Sequence, residues 1–161
     1  MSSIYTRKVE YYETDKMGIV HHANYLHWFE EARTFALAEM GLEYKSLEDM
    51  GIMMPVLAVD CKYKTGAKYG DRVLVDVNVE KFNGVKMKFS YKITDSETGV
   101  LRVTGSSEHC FVDNDFKPLS LKKSYPTIYD KVLECIDILA NNYIFLRILC
   151  IRRFFSLEIY D

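Results

Sequence analysis

Hydrophobic positions recur at three- and four-residue spacing between Asn24 and Met40, and this periodicity predicts a helix. The apolar face is wide and rich in aromatic residues, so the helix should be deeply buried against a sheet. Gly41 suits the end of this helix, because glycine enters the left-handed conformation without steric cost. The apolar face consists of Tyr25, Leu26, Trp28, Phe29, Ala32, Phe35, Ala36 and Met40.

Strands are predicted on both sides of this helix. Three segments alternate strictly between apolar and polar residues, which is typical of half-buried strands. The final strand changes its apolar phase near Gly105, which suggests a β-bulge. The five predicted strands cover residues 4–12, 57–63, 73–80, 85–94 and 100–112.

Two turns join the later strands. Asn83-Gly84 is a strong hairpin signal, and Asp95–Gly99 forms a loop that ends in glycine. A sheet with one apolar face needs a cover, and the 24–40 helix is the only large candidate. The sequence therefore predicts an α+β fold in which an antiparallel sheet of about five strands wraps around one long central helix.

The carboxyl-terminal segment does not fit this pattern. A helical stripe starts at Ile128, and we divide the chain into a domain at residues 1–127 and a helical extension at 128–161. The favoured interpretation is a packing or oligomerisation helix. A basic helix lying on a membrane surface and a disordered tail are the alternatives. The stripe comprises Ile128, Val132, Cys135, Leu139, Tyr143, Leu146 and Cys150, and Arg147, Arg152 and Arg153 interrupt or flank it.

Composition narrows the classes of function. The 161 residues include 21 basic and 23 acidic side chains, so no strong positive field favours a nucleic-acid partner. The four cysteines form no C-x-x-C pair, which predicts reduced thiols, no metal site and a cytoplasmic location. We see neither a signal-peptide core nor a stretch of 18 apolar residues, and no G-x-S-x-G, P-loop or dinucleotide fingerprint.

The candidate chemistry lies in the loop between the first strand and the helix. Asp15 precedes the helix amino terminus, where free amides and the helix dipole favour negative charge. A lone aspartate at such a place usually satisfies loop amides. Alternatively, amides near His22 and Ala23 polarise a substrate carbonyl while Asp15 acts on its carbon, as ester and thioester hydrolysis requires.

The surrounding residues favour the catalytic interpretation. The string Y-E-T-D-x-M-G-I-V-H-H-A-N-Y-L-x-W-F-E-E-A-R at residues 12–33 resembles the entrance motif of the 4-hydroxybenzoyl-CoA thioesterase family. It is most similar to the acyl-CoA thioesterase branch associated with the Tol–Pal cell-envelope system. The resemblance extends to about residue 125 and implies a hotdog fold, acyl-CoA as substrate, and neither a metal nor an organic cofactor.

The resemblance also implies roles for individual residues. Asp15 matches the catalytic carboxylate, and His22 matches a histidine whose amide is the oxyanion donor. Tyr11 matches an active-site tyrosine of some relatives, although Tyr12 competes for that position. The expected substrate-binding residues are Gly18, Val20, Ala23 and Tyr25.

The reaction expected from this pattern is hydrolysis of acyl-CoA to a free acid and CoA. Asp15 either activates water or attacks directly to give a mixed anhydride, and His22 assists the carbonyl or the leaving thiolate. An acyl-carrier-protein thioesterase and a noncatalytic acyl-CoA-binding module are the alternatives. Unpaired sheet edges and the resemblance both predict a homodimer at least, with a tetramer as a further option.

Other polar residues receive simpler interpretations. Glu30, Glu31 and Arg33 are expected on a salt-bridged or solvated helix face, His27 on the helix surface, and His109 packed in a strand. His21 is a weaker catalytic candidate than His22. Depth of the acyl cleft is expected to depend on which of Trp28, Met53, Met54 and Tyr63 line it. Several lysines could meet CoA phosphates, although most should lie on a solvated strand face: Lys62, Lys64, Lys68, Lys86, Lys88 and Lys92.

Overall fold

The computed structural model describes residues 3–136. Five strands form one antiparallel sheet in the order β1-β3-β4-β5-β2. The strands are β1 (Ser3–Lys8), β2 (Val56–Tyr63), β3 (Arg72–Phe82), β4 (Lys86–Asp95) and β5 (Leu101–Cys110). The helices are α1 (Asn24–Glu39), α2 (Tyr44–Asp49) and α3 (Leu121–Ser124), with a 3-10 turn at Tyr11–Glu13 and further helical residues at 126–136.

Helix α1 lies against the inner face of the sheet, as its wide apolar face predicts. Trp28, Phe29 and Ala32 are buried together with the alternating valines of β3 and the inward residues of β4. Gly41 ends the helix in the left-handed region, with φ of +68°. The α+β prediction with one central helix is therefore confirmed.

The two predicted turns are confirmed. Oδ1 of Asn83 accepts hydrogen bonds from the amides of Val85 and Lys86, at 2.9 and 2.7 Å. Gly84 has φ of +83°, as a tight hairpin requires. Oδ1 of Asp95 likewise accepts from the Thr98 amide at 2.9 Å and orders the β4–β5 loop.

The first strand is shorter than the sequence predicts. It ends at Lys8 instead of continuing to residue 12, and the chain then forms the 3-10 turn. The Glu13 carboxylate folds back onto the Glu10 amide at 2.8 Å, which closes the turn and ends the extended conformation.

The predicted bulge near Gly105 is wrong. Pairing of β5 with β4 is continuous there, and the register shift lies between Ile93 and Thr94. Gly105 has another reason to be glycine, because a Cβ atom would lie 2.6 Å from the Phe29 ring. The apolar phase seemed to change because two inward positions further along β5 are polar, Ser107 and His109.

Strand β2 departs from the half-buried pattern. Leu57, Val59 and Tyr63 are each about half exposed, although apolar residues alternate along the strand. Helix α1 packs chiefly against β1 and β3, at the opposite side of the sheet. In this chain the inner face of β2 is therefore only partly covered, although Cys61 packs against the core.

Residues 126–136 are helical and cross the predicted boundary at residue 128. Val132 is fully buried, and Ile128 and Cys135 pack against the core. Nζ of Lys131 also donates to the Gly41 carbonyl at 2.9 Å. The stripe positions from Leu139 onward and the three flanking arginines lie outside the described residues. No helix within residues 3–136 is long and apolar enough to cross a membrane.

Candidate active site

Glu13 anchors the loop that precedes α1. It is only 2% exposed, and Oε1 accepts a hydrogen bond from Nε1 of Trp28 at 2.8 Å. Nη2 of Arg7 also donates to Oε1 in an ion pair. A buried carboxylate needs such partners to offset its desolvation. The Glu13 side chain therefore holds the loop against both the helix and β1.

The Glu13 backbone completes this anchor. Its carbonyl accepts from the His21 amide at 2.9 Å and from Nδ2 of Asn24 at 2.8 Å. Thr14 and Val20 form an isolated antiparallel bridge. Both ends of the loop are thus fixed, and residues 15–19 form the tip between them.

The tip presents Asp15. Its amide donates to the Ile19 carbonyl at 2.9 Å, and its carbonyl accepts from the Gly18 amide at 2.9 Å. Oδ1 accepts from the Met17 amide at 2.8 Å, whereas Oδ2 accepts no hydrogen bond from the described residues. Gly18, with φ of +73°, permits this turn. One carboxylate oxygen fixes the side chain while the other stays available.

A cavity of about 180 Å³ opens beside Asp15 at the amino terminus of α1. It brings together four elements: the loop tip, the start of the helix, the end of β2 with the loop after it, and β5. The lining residues are Asp15, Met17, Ile19, Val20, His22, Tyr25, Tyr63, Lys64, Thr65, Gly66 and Val103.

The backbone amides before α1 are not equivalent. The Ala23 amide donates to Nδ1 of His21 at 3.3 Å, and the Asn24 amide donates to the His21 carbonyl at 3.0 Å. The His22 amide donates to no acceptor within residues 3–136. Of these three amides, that of His22 is therefore the one free to meet a substrate oxygen.

Tyr63 braces His22 from the far side of the cavity. Its hydroxyl donates to the His22 carbonyl at 3.2 Å, and the two rings meet edge to face with centroids 6.3 Å apart. Desolvation and the neighbouring Cys61 thiol raise the pKa of Tyr63 to about 12. The phenol is therefore protonated at neutral pH and able to donate.

The structure brings together only part of the predicted set. Asp15, His22, Val20 and Tyr25 line the cavity, and the Tyr25 hydroxyl accepts from the Ala67 amide at 3.0 Å. Gly18 shapes the loop tip without lining the cavity, and the Ala23 amide is engaged by His21. Of the four residues considered for the acyl cleft, Tyr63 lines the cavity, whereas Trp28, Met53 and Met54 do not.

Tyr11 lies outside the cavity, so the structure does not bring it to Asp15. It is 76% exposed, and its ring packs edge to face against Tyr69 with centroids 5.6 Å apart. Tyr12, the competing position, is also exposed and outside the cavity. The predicted catalytic role of Tyr11 has no support in this geometry.

The sequence interpretation missed the functions of several residues. Glu13 was not singled out, although it lies inside the motif, two residues before Asp15. Arg33 was expected on a solvated face but is buried, and its Nη1 donates to the Tyr44 hydroxyl at 3.0 Å. Glu31 does pair with Arg7, and His27 is exposed, as expected.

His109 is packed, as predicted. It is 1% exposed, and its Nε2 lies 2.8 Å from Oγ of Ser107, which lies 2.6 Å from the Tyr91 hydroxyl. Burial and the nearby Arg33 guanidinium lower the pKa of His109 to about 4. This polar chain lies in the core and does not line the cavity at Asp15.

The sheet, the helix packed on its inner face and the cavity with Asp15 at the helix amino terminus define a hotdog-fold protein. DHNA-CoA thioesterase from Staphylococcus aureus has the same fold, with a TM-score of 0.81 and 34% identity. That alignment covers 88% of this chain and 94% of the other. A structure from Aquifex aeolicus, at 34% identity and TM-score 0.72, covers 80% and 97%.

Family membership follows from the sequence match. Residues 9–131 match the Thioesterase-like superfamily. "Putative acyl-CoA thioesterase YneP" from Bacillus subtilis is 38% identical over 128 residues, covering 77% of this chain and 92% of that protein. The chain belongs to the Thioesterase-like superfamily, and it is a thioester hydrolase. The family match includes residues 128–131, the first residues of the predicted extension.

Proposed function

We propose that the protein hydrolyses the thioester bond of acyl-CoA in the cavity at Asp15. The observation that carries this proposal is the shared cavity of Asp15, His22 and the start of α1. A carboxylate and an oxyanion donor on either side of one small space are what thioester hydrolysis requires. The names of the relatives from S. aureus and B. subtilis, both CoA thioesterases, support this substrate class.

The His22 amide is the proposed oxyanion donor. The thioester oxygen gains negative charge as the tetrahedral centre forms, and the His22 N–H stabilises that charge without reorganisation. Ala23 does not fill this position, because its amide is held by His21. The Tyr63 hydrogen bond to the His22 carbonyl keeps this peptide group in place.

Asp15 acts on the carbonyl carbon by one of two routes. As a base, Asp15 takes a proton from water while the water oxygen bonds to the carbon, and the C–S bond then breaks. As a nucleophile, it forms an acyl anhydride and releases the thiolate, after which water cleaves the anhydride. In both routes the products are a carboxylic acid and CoA, and the thiolate takes up a proton. The exposed His22 imidazole is the proposed proton donor.

A homodimer is the proposed assembly. Val59, Cys61 and Tyr63 lie on the inner face of β2, opposite Ser107, Gly105 and Val103 of β5. Val59 and Tyr63 are half exposed, and β2 is also an unpaired edge of the sheet. A second copy packed on this face would cover the half-exposed Val59 and Tyr63 and would add a wall to the cavity beside Tyr63. A tetramer requires further contacts that the single chain does not define.

The motif at residues 12–33 supports the Tol–Pal-associated branch, and the cytoplasmic location and the absence of a cofactor stay predictions. The two named relatives carry different substrate names, so a substrate panel is needed to identify the acyl group.

A substrate panel tests the reaction. We expect free thiol to be released from acyl-CoA esters that range from short aliphatic to aromatic groups. The proposal would be refuted if the wild-type protein cleaved none of these esters. Carrier-protein thioesters of the same acyl groups test the competing substrate class, because a carrier-protein thioesterase would prefer them.

Light scattering tests the dimer. We expect a dimer for the wild type, and a monomer with reduced hydrolysis for Val59→Lys, because a charge on the inner face of β2 opposes association. The matched control is Ile4→Lys, which places the same charge on the exposed side chain at the other sheet edge. A wild-type monomer with full activity at micromolar concentration would contradict the proposed assembly.

A further inference from the structure

The mouth of the cavity is built from two loops that are locked together. The Val20 amide of the first loop donates to the Ala67 carbonyl of the second at 2.8 Å. Gly66 packs so closely that a Cβ atom would lie 3.0 Å from the Ile19 side chain. Residues carried by these loops therefore have fixed positions relative to Asp15.

Positive charge is concentrated on the two loops. Lys16 belongs to the first loop, Lys64 and Lys68 belong to the second, and all three are exposed. Lys64 also lines the cavity. None of the three makes an ion pair with a carboxylate within residues 3–136. The mouth therefore has a local positive charge although the chain has a net charge of −2.

Two lysines on the outer face of the sheet differ from these. Lys86 pairs with Glu108 at 3.0 Å, and Lys88 pairs with Glu80 at 3.0 Å. Near the mouth, by contrast, Asp71 is already held by Arg102 and by the Lys68 amide. The charge at the mouth is thus left for an external anion, whereas the charges of Lys86 and Lys88 are neutralised within the chain.

Exposed aromatic rings flank the same lysines. Tyr69 follows Lys68 directly and is 57% exposed, and its ring meets that of Tyr11 edge to face. The Tyr11 carbonyl in turn accepts from both the amide and the hydroxyl of Thr14, the residue before Asp15. The tyrosine pair is therefore anchored to the active-site loop but stands outside the cavity. The exposed Tyr69 ring, braced by the edge-to-face contact with Tyr11, offers an aromatic face on which a purine base can stack.

We propose that the Tyr11–Tyr69 pair and the lysines at the mouth bind the adenosine 3′-phosphate 5′-diphosphate half of CoA. This inference rests on the proposed acyl-CoA substrate. The thioester and the nucleotide are at opposite ends of the pantetheine arm, so the nucleotide must bind outside the cavity that holds the carbonyl. Lys68 contacts the phosphates and Tyr69 stacks on the adenine. Lys64 lies between the nucleotide and the thioester ends of the substrate. Tyr11 has a binding role here in place of the predicted catalytic one.

Kinetics with two substrates test this inference. The first substrate is an acyl-CoA, and the second is the same acyl thioester of pantetheine, which lacks the nucleotide. For Lys68→Ala we expect KM for acyl-CoA to rise about tenfold, the loss expected for one charge-assisted contact to phosphate. We expect kcat for acyl-CoA and both constants for acyl-pantetheine to stay at wild-type values. The matched control is Lys45→Ala, which removes an exposed lysine of α2.

The tyrosine is tested separately. Tyr69→Ala should raise KM for acyl-CoA alone, while Tyr69→Phe, which keeps the ring, should retain the wild-type KM. Equal losses on both substrates, or an unchanged KM for acyl-CoA in Lys68→Ala, would overturn the nucleotide site. Wild-type protein that cleaves neither substrate would instead refute the proposed function. Wild-type protein that cleaves both with equal kcat/KM would refute only the nucleotide site.

Discussion

Glu13 and Asp15 lie two residues apart in one loop, yet their carboxylates have opposite surroundings. Glu13 is buried and its two oxygens accept from Trp28, Arg7 and the Glu10 amide. Asp15 is partly exposed, has one oxygen on the Met17 amide and faces the cavity. The same chemical group thus builds the loop at one position and is left available for reaction at the other.

This difference shows what the long motif at residues 12–33 encodes. Trp28, Asn24 and Glu31 contact Glu13 or its partner Arg7 and do not line the cavity. Much of the motif therefore specifies the position of the loop on α1, and only a few of its residues face a substrate. Resemblance over the whole motif is evidence for this loop geometry as well as for the reaction.

The largest expected effect is the loss of activity in Asp15→Asn. Asparagine keeps the Oδ1 acceptor for the Met17 amide but is neither a base nor a nucleophile of useful strength. We expect kcat/KM for acyl-CoA to fall by about 10³-fold, or roughly 4 kcal/mol of transition-state stabilisation. The free energy of unfolding should change by less than about 0.5 kcal/mol. Steady-state thiol release and urea unfolding measure the two quantities.

The control for this variant is Asp49→Asn, which makes the same change at an exposed site in α2. It should leave both quantities unchanged. Near-normal turnover by folded Asp15→Asn would show that the carboxylate at the cavity is not the reactive group, and the contrast with Glu13 would lose its functional meaning.

The second effect is destabilisation by Glu13→Gln. This change leaves the largely buried Arg7 without one of its two carboxylate partners and weakens the bond to Trp28. We expect the free energy of unfolding to fall by about 3 kcal/mol, at the lower end for breaking a buried ion pair, because Glu31 still pairs with Arg7. Chemical denaturation of the wild type and the variant at neutral pH measures this loss.

Glu48→Gln is the matched control, since Glu48 is exposed on α2. A Glu13 variant that keeps wild-type stability but loses activity would show that Glu13 acts in the reaction and does not anchor the loop. Partial loss of activity together with the loss of stability is consistent with the anchoring role, because the loop tip would become less fixed.

Much of the fold follows from sequence because local patterns and tertiary packing agree. The valines of β3, the hairpin at Asn83-Gly84 and the glycine stop after α1 each had one simple physical interpretation, and the structure confirms them. The motif grouped Asp15, His22 and Tyr25 as candidate site residues, and all three line the cavity.

The predictions from sequence are wrong where contacts between residues distant in sequence determine the local structure or the burial of a side chain. Gly105 is glycine because of Phe29, a residue distant in sequence, and alternation alone cannot show this contact. Arg33 is hydrophilic by type but is buried beside Tyr44, another contact from a separate element. Exposure of β2 depends on where α1 lies across the sheet, which the pattern of a single strand does not contain.

Two histidines, His22 and His109, also differ in their surroundings. This difference predicts a third and smaller effect, on the pH dependence of stability. His22 is exposed at the cavity, whereas His109 is buried and its pKa is lowered to about 4, below the ordinary 6.5. The folded state thus prefers neutral His109, and this stabilisation is present above the unfolded pKa and is lost as pH falls toward 4. We expect about 2 kcal/mol of unfolding free energy to be lost through His109 between pH 8 and pH 5.

Urea unfolding at both pH values measures this loss, with His109→Gln as the test variant. Glutamine cannot titrate, so the variant should be less stable at pH 8 but should lose less stability on acidification. His27→Gln, at an exposed position of α1, should keep the wild-type pH dependence. A His109 variant that retains the full acid sensitivity would show that other groups cause it.

The smallest expected effect, on the free energy of unfolding, tests how much the Glu13 backbone contributes to holding the loop compared with the Glu13 side chain. Asn24→Ala removes the amide that donates to the Glu13 carbonyl at 2.8 Å, while the Glu13 carboxylate keeps all its partners. One neutral, partly buried hydrogen bond contributes about 1 kcal/mol, so urea unfolding should show a loss of that size. Asn114→Ala, at an exposed loop position, should show none. A loss for Asn24→Ala as large as that for Glu13→Gln would mean that the loop is held mainly through its backbone. The buried Glu13 carboxylate would then not be the main anchor of the loop that carries Asp15.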